Sequence, residues 1–374
     1  MAVSNNSYER IVVKLGTNLL TNGSDRLDLG VMASLVSQVA RLHKQGLEVI
    51  LVTSGAVAAG RYRLRGMAKE DLPQRQALAA VGQSALMHAY DELFAWHDVT
   101  VAQALVTRRD LVDRAGYLNV RNTLNALLDA RVVPIINEND VVATDEIEGA
   151  RFGDNDNLSA MVANLVDADL LTLLTDIDGL YTANPKEDPT ATLVPRVDAV
   201  TPEIEALALG AGSSRGTGGM ITKLQAAKLA TASGVAVIIA RGAEPDVLLR
   251  LARGEALGTL FPPATTKLES RKRWMLSGVA RRGSVTVDDG AAKAVCQGRS
   301  SLLPVGVREI RGPFKRGDIV DIMDLSGKRL ASGIVNYDST DLAKLKGHRS
   351  SEVEQLLGYA FGDEVVHRNN LVLV

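Results

Sequence analysis

The chain has a single cysteine, Cys296, so no intrachain disulfide can form and a disulfide-stapled scaffold is excluded. One thiol in 374 residues fits a reducing compartment. Aromatic residues make up only 4% of the sequence and form no interleaved basic-aromatic stripe, the stacking platform that single-stranded nucleic acid requires. The five histidines, His43, His88, His97, His348 and His367, are scattered, and no HExxH, GxSxG or Cys/His cluster occurs. They read as surface or structural residues and imply no zinc site. Long apolar runs are missing too: each is interrupted within about ten residues, too short for a membrane span. The first residues, MAVSNNSYER, carry no apolar h-region and no small-residue cleavage pattern, so a cytoplasmic location is expected.

Charge of one sign is also lacking, with a formal net charge of −2. Residues 271–374 hold 17 Lys and Arg against 12 Asp and Glu, a balance of +5, and the rest of the chain holds 25 against 32, a balance of −7. A surplus of +5 falls short of the basic patches on which nucleic-acid affinity rests. RNA is therefore only a secondary candidate partner, and the charge reads equally as solvated surface or a subunit contact.

What is present is 46% hydrophobic residues and 23% charged ones, ordinary values for a chain with a sizeable core. At roughly 150 residues per domain, the length suggests about two domains. β-branched runs occur at IVVKLG (11–16), LEVILVTS (47–54), VTVAQALV (99–106), RVVPIIN (131–137), DLLTLLT (169–175) and VAVIIA (235–240). Most are apolar on successive residues, as strands buried on both faces are. Helical periodicity lies between them, at about 29–43, 73–96, 117–130, after GDNDN, and at 221–233. Strand and helix in alternation predict an α/β fold, a mostly parallel sheet sandwiched by helices. Residues 254–270 read as a linker, and beyond them short strands such as 283–290 and 318–324 predict a small β-rich barrel. The expected division is 1–260, a linker and domain start at 261–280, and 281–374.

In such sheets ligands bind at the carboxyl ends of the strands. The first strand ends in KLGTN, where Lys14 and Gly16 form either an anion site or a plain turn with a surface lysine. The second ends in VTSGAVAAG, where Ser54 either caps a helix or meets a ligand. INEND follows the fourth strand with four polar residues, more than a turn needs. GDNDNLSA clusters Asp154, Asn155, Asp156 and Asn157 at a helix start, where one cap suffices. GAGSSRGTGGMITK (210–223) runs from glycines into a helix bearing Lys223, and reads as a linker or as a nucleotide-covering loop. No P-loop or dinucleotide fingerprint occurs.

In this order VVKLGTN, VTSGAVAAG, NENDVVAT, GDNDNLSA, LLTDIDGLYTANP and GTGGMITKLQAA resemble the amino-acid kinase family, and most closely its glutamate-phosphorylating branch. SSLLPVGV, RKRWMLSG and GYAFGDEVVHRNN are similar to the C-terminal PUA-type domain that many bacterial members of that branch carry. The resemblance implies ATP with Mg²⁺ as cofactors and L-glutamate as acceptor. It implies that Lys14 and Lys223 flank the phosphoryl group and that Asp156 holds both lysines. Ser54, Asp140 and Asn155 would contact glutamate. Thr175, Asp176, Thr217, Gly218, Gly219, Met220, Ile221, Thr222 and Lys223, with Lys14, would contact the nucleotide. It further implies feedback inhibition by proline, a dimer or tetramer, and hand-over of the product to glutamyl-phosphate reductase. Two departures from the pattern are Asn18, where a small Ser-like residue is expected, and a longer stretch between Thr144 and Gly153.

Overall fold

The structure is a computed structural model and describes residues 8–64, 71–143, 155–185, 187–209, 219–267, 283–297 and 300–373. The chain divides into two compact units, one of Met1–Leu111 with Arg121–Lys267, the other of Val112–Val120 with Leu268–Val374.

The larger unit is built on seven strands: β1 Arg10–Leu15, β2 Glu48–Val52, β3 Val101–Val106, β4 Val133–Glu138, β5 Leu170–Thr175, β6 Ala236–Arg241 and β7 Thr259–Phe261. Their order is β3-β4-β2-β1-β5-β6-β7, and all neighbours pair parallel except β6 with β7. The six expected strands are all present. The seventh lies within the stretch that reads as a linker, because three residues without alternation leave no period to detect. β3 is only partly buried, which follows from its place at the sheet edge.

The helices are α1 Thr17–Thr21, α2 Leu29–Lys44, α3 Ala56–Arg63, α4 Leu72–Ala95, α5 Arg108–Val112, α6 Arg114–Asp129, α7 Asn155–Leu165, α8 Pro202–Leu209, α9 Met220–Thr231 and α10 Val247–Ala252. Starts are set by local chemistry. The Asp28 carboxylate accepts from the backbone of Gly30 and Val31 at the head of α2, and Asp71 accepts from Gln74 at the head of α4, followed by Pro73. Successive strand residues point to opposite faces. Ile11, Val13 and Leu15 of β1 therefore join one core with Leu35, Val39, Leu86, Tyr90 and Phe94. Val12 and Lys14 face the other side, where α7 packs on β1 and on α9.

α3 and α4 touch backbone to backbone. A Cβ on Gly82 would lie 1.7 Å from the carbonyl oxygen of Ala56, and one on Gly60 would lie 1.9 Å from that of Leu78. Gly82→Ala is thus expected to force the helices apart, at about 1–3 kcal/mol. The melting temperature should fall by several degrees, whereas Ser84→Ala on the exposed side of the same helix should leave it nearly unchanged. Equal melting curves for the two variants would disprove the contact.

The smaller unit contains β8 Ser284–Val287, α11 Asp289–Cys296, β9 Val307–Arg311, β10 Ile319–Met323, β11 Arg329–Ile334, α12 Ser339–Leu345, α13 Val353–Leu357 and β12 Leu371–Leu373. Its sheet runs β12-β11-β10-β8-β9, antiparallel except for β10 with β8. Val285, Val320, Ile322, Val335, Tyr337 and Val366 form its core. The helix at 289–296 is hidden in the sequence because Asp-Asp-Gly reads as the turn closing a strand. In the fold Asp288 caps that helix, accepting from Ala291 at 2.9 Å.

Candidate active site

Three elements of the larger unit bring charge to the carboxyl end of β1. Lys14 is the fifth residue of that strand, Asp156 lies in the first turn of α7, and Lys223 lies in the first turn of α9. All three are buried, Asp156 to 0% exposure. Lys14 Nζ is 2.6 Å from Asp156 Oδ1, and Lys223 Nζ is 3.0 Å from Asp156 Oδ2. Thr222 Oγ1 lies 3.0 Å from the same Oδ2 and 2.8 Å from the carbonyl of Gly219. Two lysines drawn from different elements thus converge on one carboxylate. Burial alone would push the Asp156 carboxyl up, but Lys14 and then Lys223 outweigh it and hold the group well below the usual carboxylate range. Its position in the first turn of α7 favours the same charged form. A desolvated cation pair with fixed spacing is a receptor for an anion whose charge is spread over several oxygens.

Strand order explains why the cluster forms there. β1 has β2 on one side and β5 on the other, and the chain winds away from it in both directions, which opens a crevice at the carboxyl ends. Gly16 follows at φ −78° and ψ 154°, ordinary extended backbone, so no special dihedral calls for glycine there. A Cβ would instead sit 3.7 Å from Lys14 Nζ and 3.7 Å from the Leu174 carbonyl, taking up the space beside the lysine.

Next to the cations lies a network of neutral groups. Gly55 turns the chain after β2 with φ of +100° and is itself the cap of α3, with no side-chain cap bond. Ser54 is thus released from capping, and its Oγ accepts from Asn155 Nδ2 at 2.9 Å. The same Nδ2 reaches the Thr53 carbonyl at 2.7 Å and Asn137 Oδ1 at 3.0 Å. Asp140 is half-buried in the turn that follows β4, where Val142 and Ala143 donate back to the Asn139 carbonyl. Asp154 and the 144–153 stretch lie outside the described residues.

At the end of β5, Thr175 Oγ1 donates to Asp176 Oδ1 at 3.0 Å, and Asp176 is exposed. Gly219, Met220 and Ile221 open α9, while Thr217 and Gly218 lie outside the described residues. The structure therefore joins Lys14, Asp156, Thr222 and Lys223 in one group and Ser54 with Asn155 in another. Asn137, the first polar residue of the INEND run, also belongs to the second group, as do Thr53 and Gln83, which carry no signal in a single sequence, being ordinary polar residues of a strand end and a helix. A separate cavity of about 670 Å³, lined by the Thr21–Leu29 loop with Ala59, Tyr62 and residues of α4, contains none of these groups.

Residues 9–241 match the model of the amino acid kinase family, and residues 283–357 match that of the PUA domain. The chain is 55% identical over 374 residues to a glutamate 5-kinase of Dehalococcoides mccartyi (strain CBDB1), covering 100% of both chains. It is 53% identical over 367 residues to a glutamate 5-kinase of Herpetosiphon aurantiacus, covering 98% of each. Among solved structures it is similar to a UMP kinase from Bacillus anthracis, with a TM-score of 0.48 and 16% identity over 69% of this chain and 97% of that one, too distant a likeness to bear on substrate.

Proposed function

The chain belongs to the amino acid kinase family and, within it, to the glutamate 5-kinases, and from that premise we propose that it transfers the γ-phosphoryl group of ATP to the side-chain carboxylate of L-glutamate. The observation that carries this reading is the buried Lys14–Asp156–Lys223 cluster beside the Asn155–Ser54 amide network.

Phosphoryl transfer asks for position and charge neutralisation more than for covalent help. One oxygen of the acceptor carboxylate attacks the γ-phosphorus. The bond to the β–γ bridging oxygen breaks, and ADP leaves with that electron pair. The attacking carboxylate is already ionised near neutral pH, so no general base is required. Asp156, held as the anion by two lysines, orients them and does not accept a proton. Lys14 and Lys223 meet the charge on the transferring group. Ser54, Asp140 and Asn155 hold the amino acid, the Asp140 carboxylate matching its ammonium. Thr175, Asp176 and the 217–223 segment contact the nucleotide. Mg²⁺ enters through the chemistry of ATP, whose phosphates would hold it.

The product, an acyl phosphate, hydrolyses readily in water, which favours prompt uptake by glutamyl-phosphate reductase in proline biosynthesis. Feedback inhibition by proline, a homo-oligomeric state and a cytoplasmic location belong to the same proposal.

The test is ATP- and Mg²⁺-dependent turnover by the purified chain, with hydroxylamine trapping the acyl phosphate. Hydroxamate is expected with glutamate, and neither with aspartate nor with acetylglutamate. Hydroxamate from either of the others in its place would overturn the acceptor. No hydroxamate from any of them would overturn the reaction.

A further inference from the structure

Gln83 lies in the middle of α4, seven residues before Tyr90, so both project from one face of the helix. Both grip strand ends at the site. Tyr90 shares a hydrogen bond of 2.8 Å with Thr53 Oγ1, and burial pushes its phenol up, so it stays neutral. Gln83 Oε1 accepts from Asn137 Nδ2 at 2.8 Å. Beside it, Gly82 rests on the Ala56 carbonyl, which fixes the helix at this point.

The direction of each amide in this group follows from one fixed acceptor. The Thr53 carbonyl can only accept, so the Asn155 nitrogen must point at it. That nitrogen then requires the oxygen of Asn137, which turns the Asn137 nitrogen towards α4. There only an acceptor serves, and Gln83 supplies it. Among the described residues this leaves two buried atoms unpaired, Asn155 Oδ1 and Gln83 Nε2. A buried polar atom without a partner costs about 1–3 kcal/mol, and Asn155 Oδ1 is an acceptor that an incoming N–H donor would satisfy.

We infer that Gln83 is a positioning residue for the acceptor amino acid: by accepting from Asn137 it locks the Asn137–Asn155 amide relay so that Asn155 Oδ1 is held out to the substrate ammonium. The inference rests on the functional reading above. Gln83 is linked to Asn155 through Asn137, so losing it should alter acceptor recognition and spare ATP.

Gln83→Leu keeps the volume and removes the acceptor atom, whereas Gln83→Glu keeps an oxygen there whether or not it is ionised. For Gln83→Leu the KM for glutamate is expected to rise about tenfold, the worth of one hydrogen bond, with kcat and the KM for ATP within about twofold of the parent. The preference for L-glutamate over glutarate, which lacks the ammonium, should fall by the same factor of about ten. Gln83→Glu should recover most of both losses. An unchanged preference, a matching rise in the KM for ATP, or equal effects of Leu and Glu would overturn the role.

A second readout needs no turnover and so separates this inference from the assigned reaction. The side-chain amide protons of Asn155, identified in ¹⁵N NMR spectra by their loss in Asn155→Asp, should exchange slowly in the parent and in Gln83→Glu and fast in Gln83→Leu. Equal exchange in all three would overturn the relay even where glutamate is the acceptor. Slow exchange with no glutamate-dependent hydroxamate would uphold the relay and overturn the reaction instead.

Discussion

Lys223→Ala is expected to lower kcat by about 10³-fold, and Lys14→Ala by a similar factor. Two buried lysines are held by one carboxylate, and their charge is what meets the transferring phosphoryl group. Either substitution removes one of the two cations placed to meet the incoming γ-phosphate. The loss belongs to the step itself, because charge reaches the outer oxygens most strongly as the bond to ADP breaks. Since both lysines act on one group of oxygens, the double variant should lose little more than the worse single one. Hydroxamate formation, with near-ultraviolet circular dichroism to monitor folding, reads these effects. A well-folded single variant within tenfold of the parent would refute the clamp.

Asp156→Asn is expected to abolish turnover and to destabilise the larger unit by about 3–5 kcal/mol, the usual cost of stripping one partner from a buried ion pair. The substitution is nearly isosteric, so packing is retained while two almost fully buried lysines lose the carboxylate that both bind. pH supplies an independent check. The folded carboxyl sits below its unfolded value, so its contribution to stability is fully present above about pH 4 and disappears as the pH falls through the folded pKa. The gap in melting temperature between parent and Asp156→Asn should therefore be constant from about pH 8 to 5 and close only at more acid pH. A gap that narrows already near pH 6 would show that another group carries the coupling.

Much of the site was legible because its residues stand at loop positions that local structure leaves unexplained. Lys14 closes a strand of apolar residues, Asn155 and Asp156 exceed what a helix cap needs, and Lys223 follows a run of glycines. Other readings changed in the fold. Ser54 could have been a cap, but Gly55 takes that place at φ +100° and frees the serine for Asn155. Gly16 suggested a tight turn, yet its backbone is extended and its value lies in the space it leaves near Lys14. Gln83 was invisible, because a glutamine inside a long helix looks like solvated surface until the strand end it meets, 54 residues away, is in place.

The sequence by itself determined the parallel α/β architecture, the β-rich C-terminal unit and the loops that carry lysines, amides and carboxylates. These follow from hydrophobic period, caps and turn residues, all of which act over a few neighbouring positions. Tertiary structure alone decided that Asp156 is fully buried between two lysines drawn from β1 and α9, and that α4 sets the polarity of the amides. Those are consequences of strand order and helix packing, in which residues distant along the chain meet only once the sheet has closed around them, and desolvation then gives their charges and hydrogen bonds a strength that no local stretch of sequence carries.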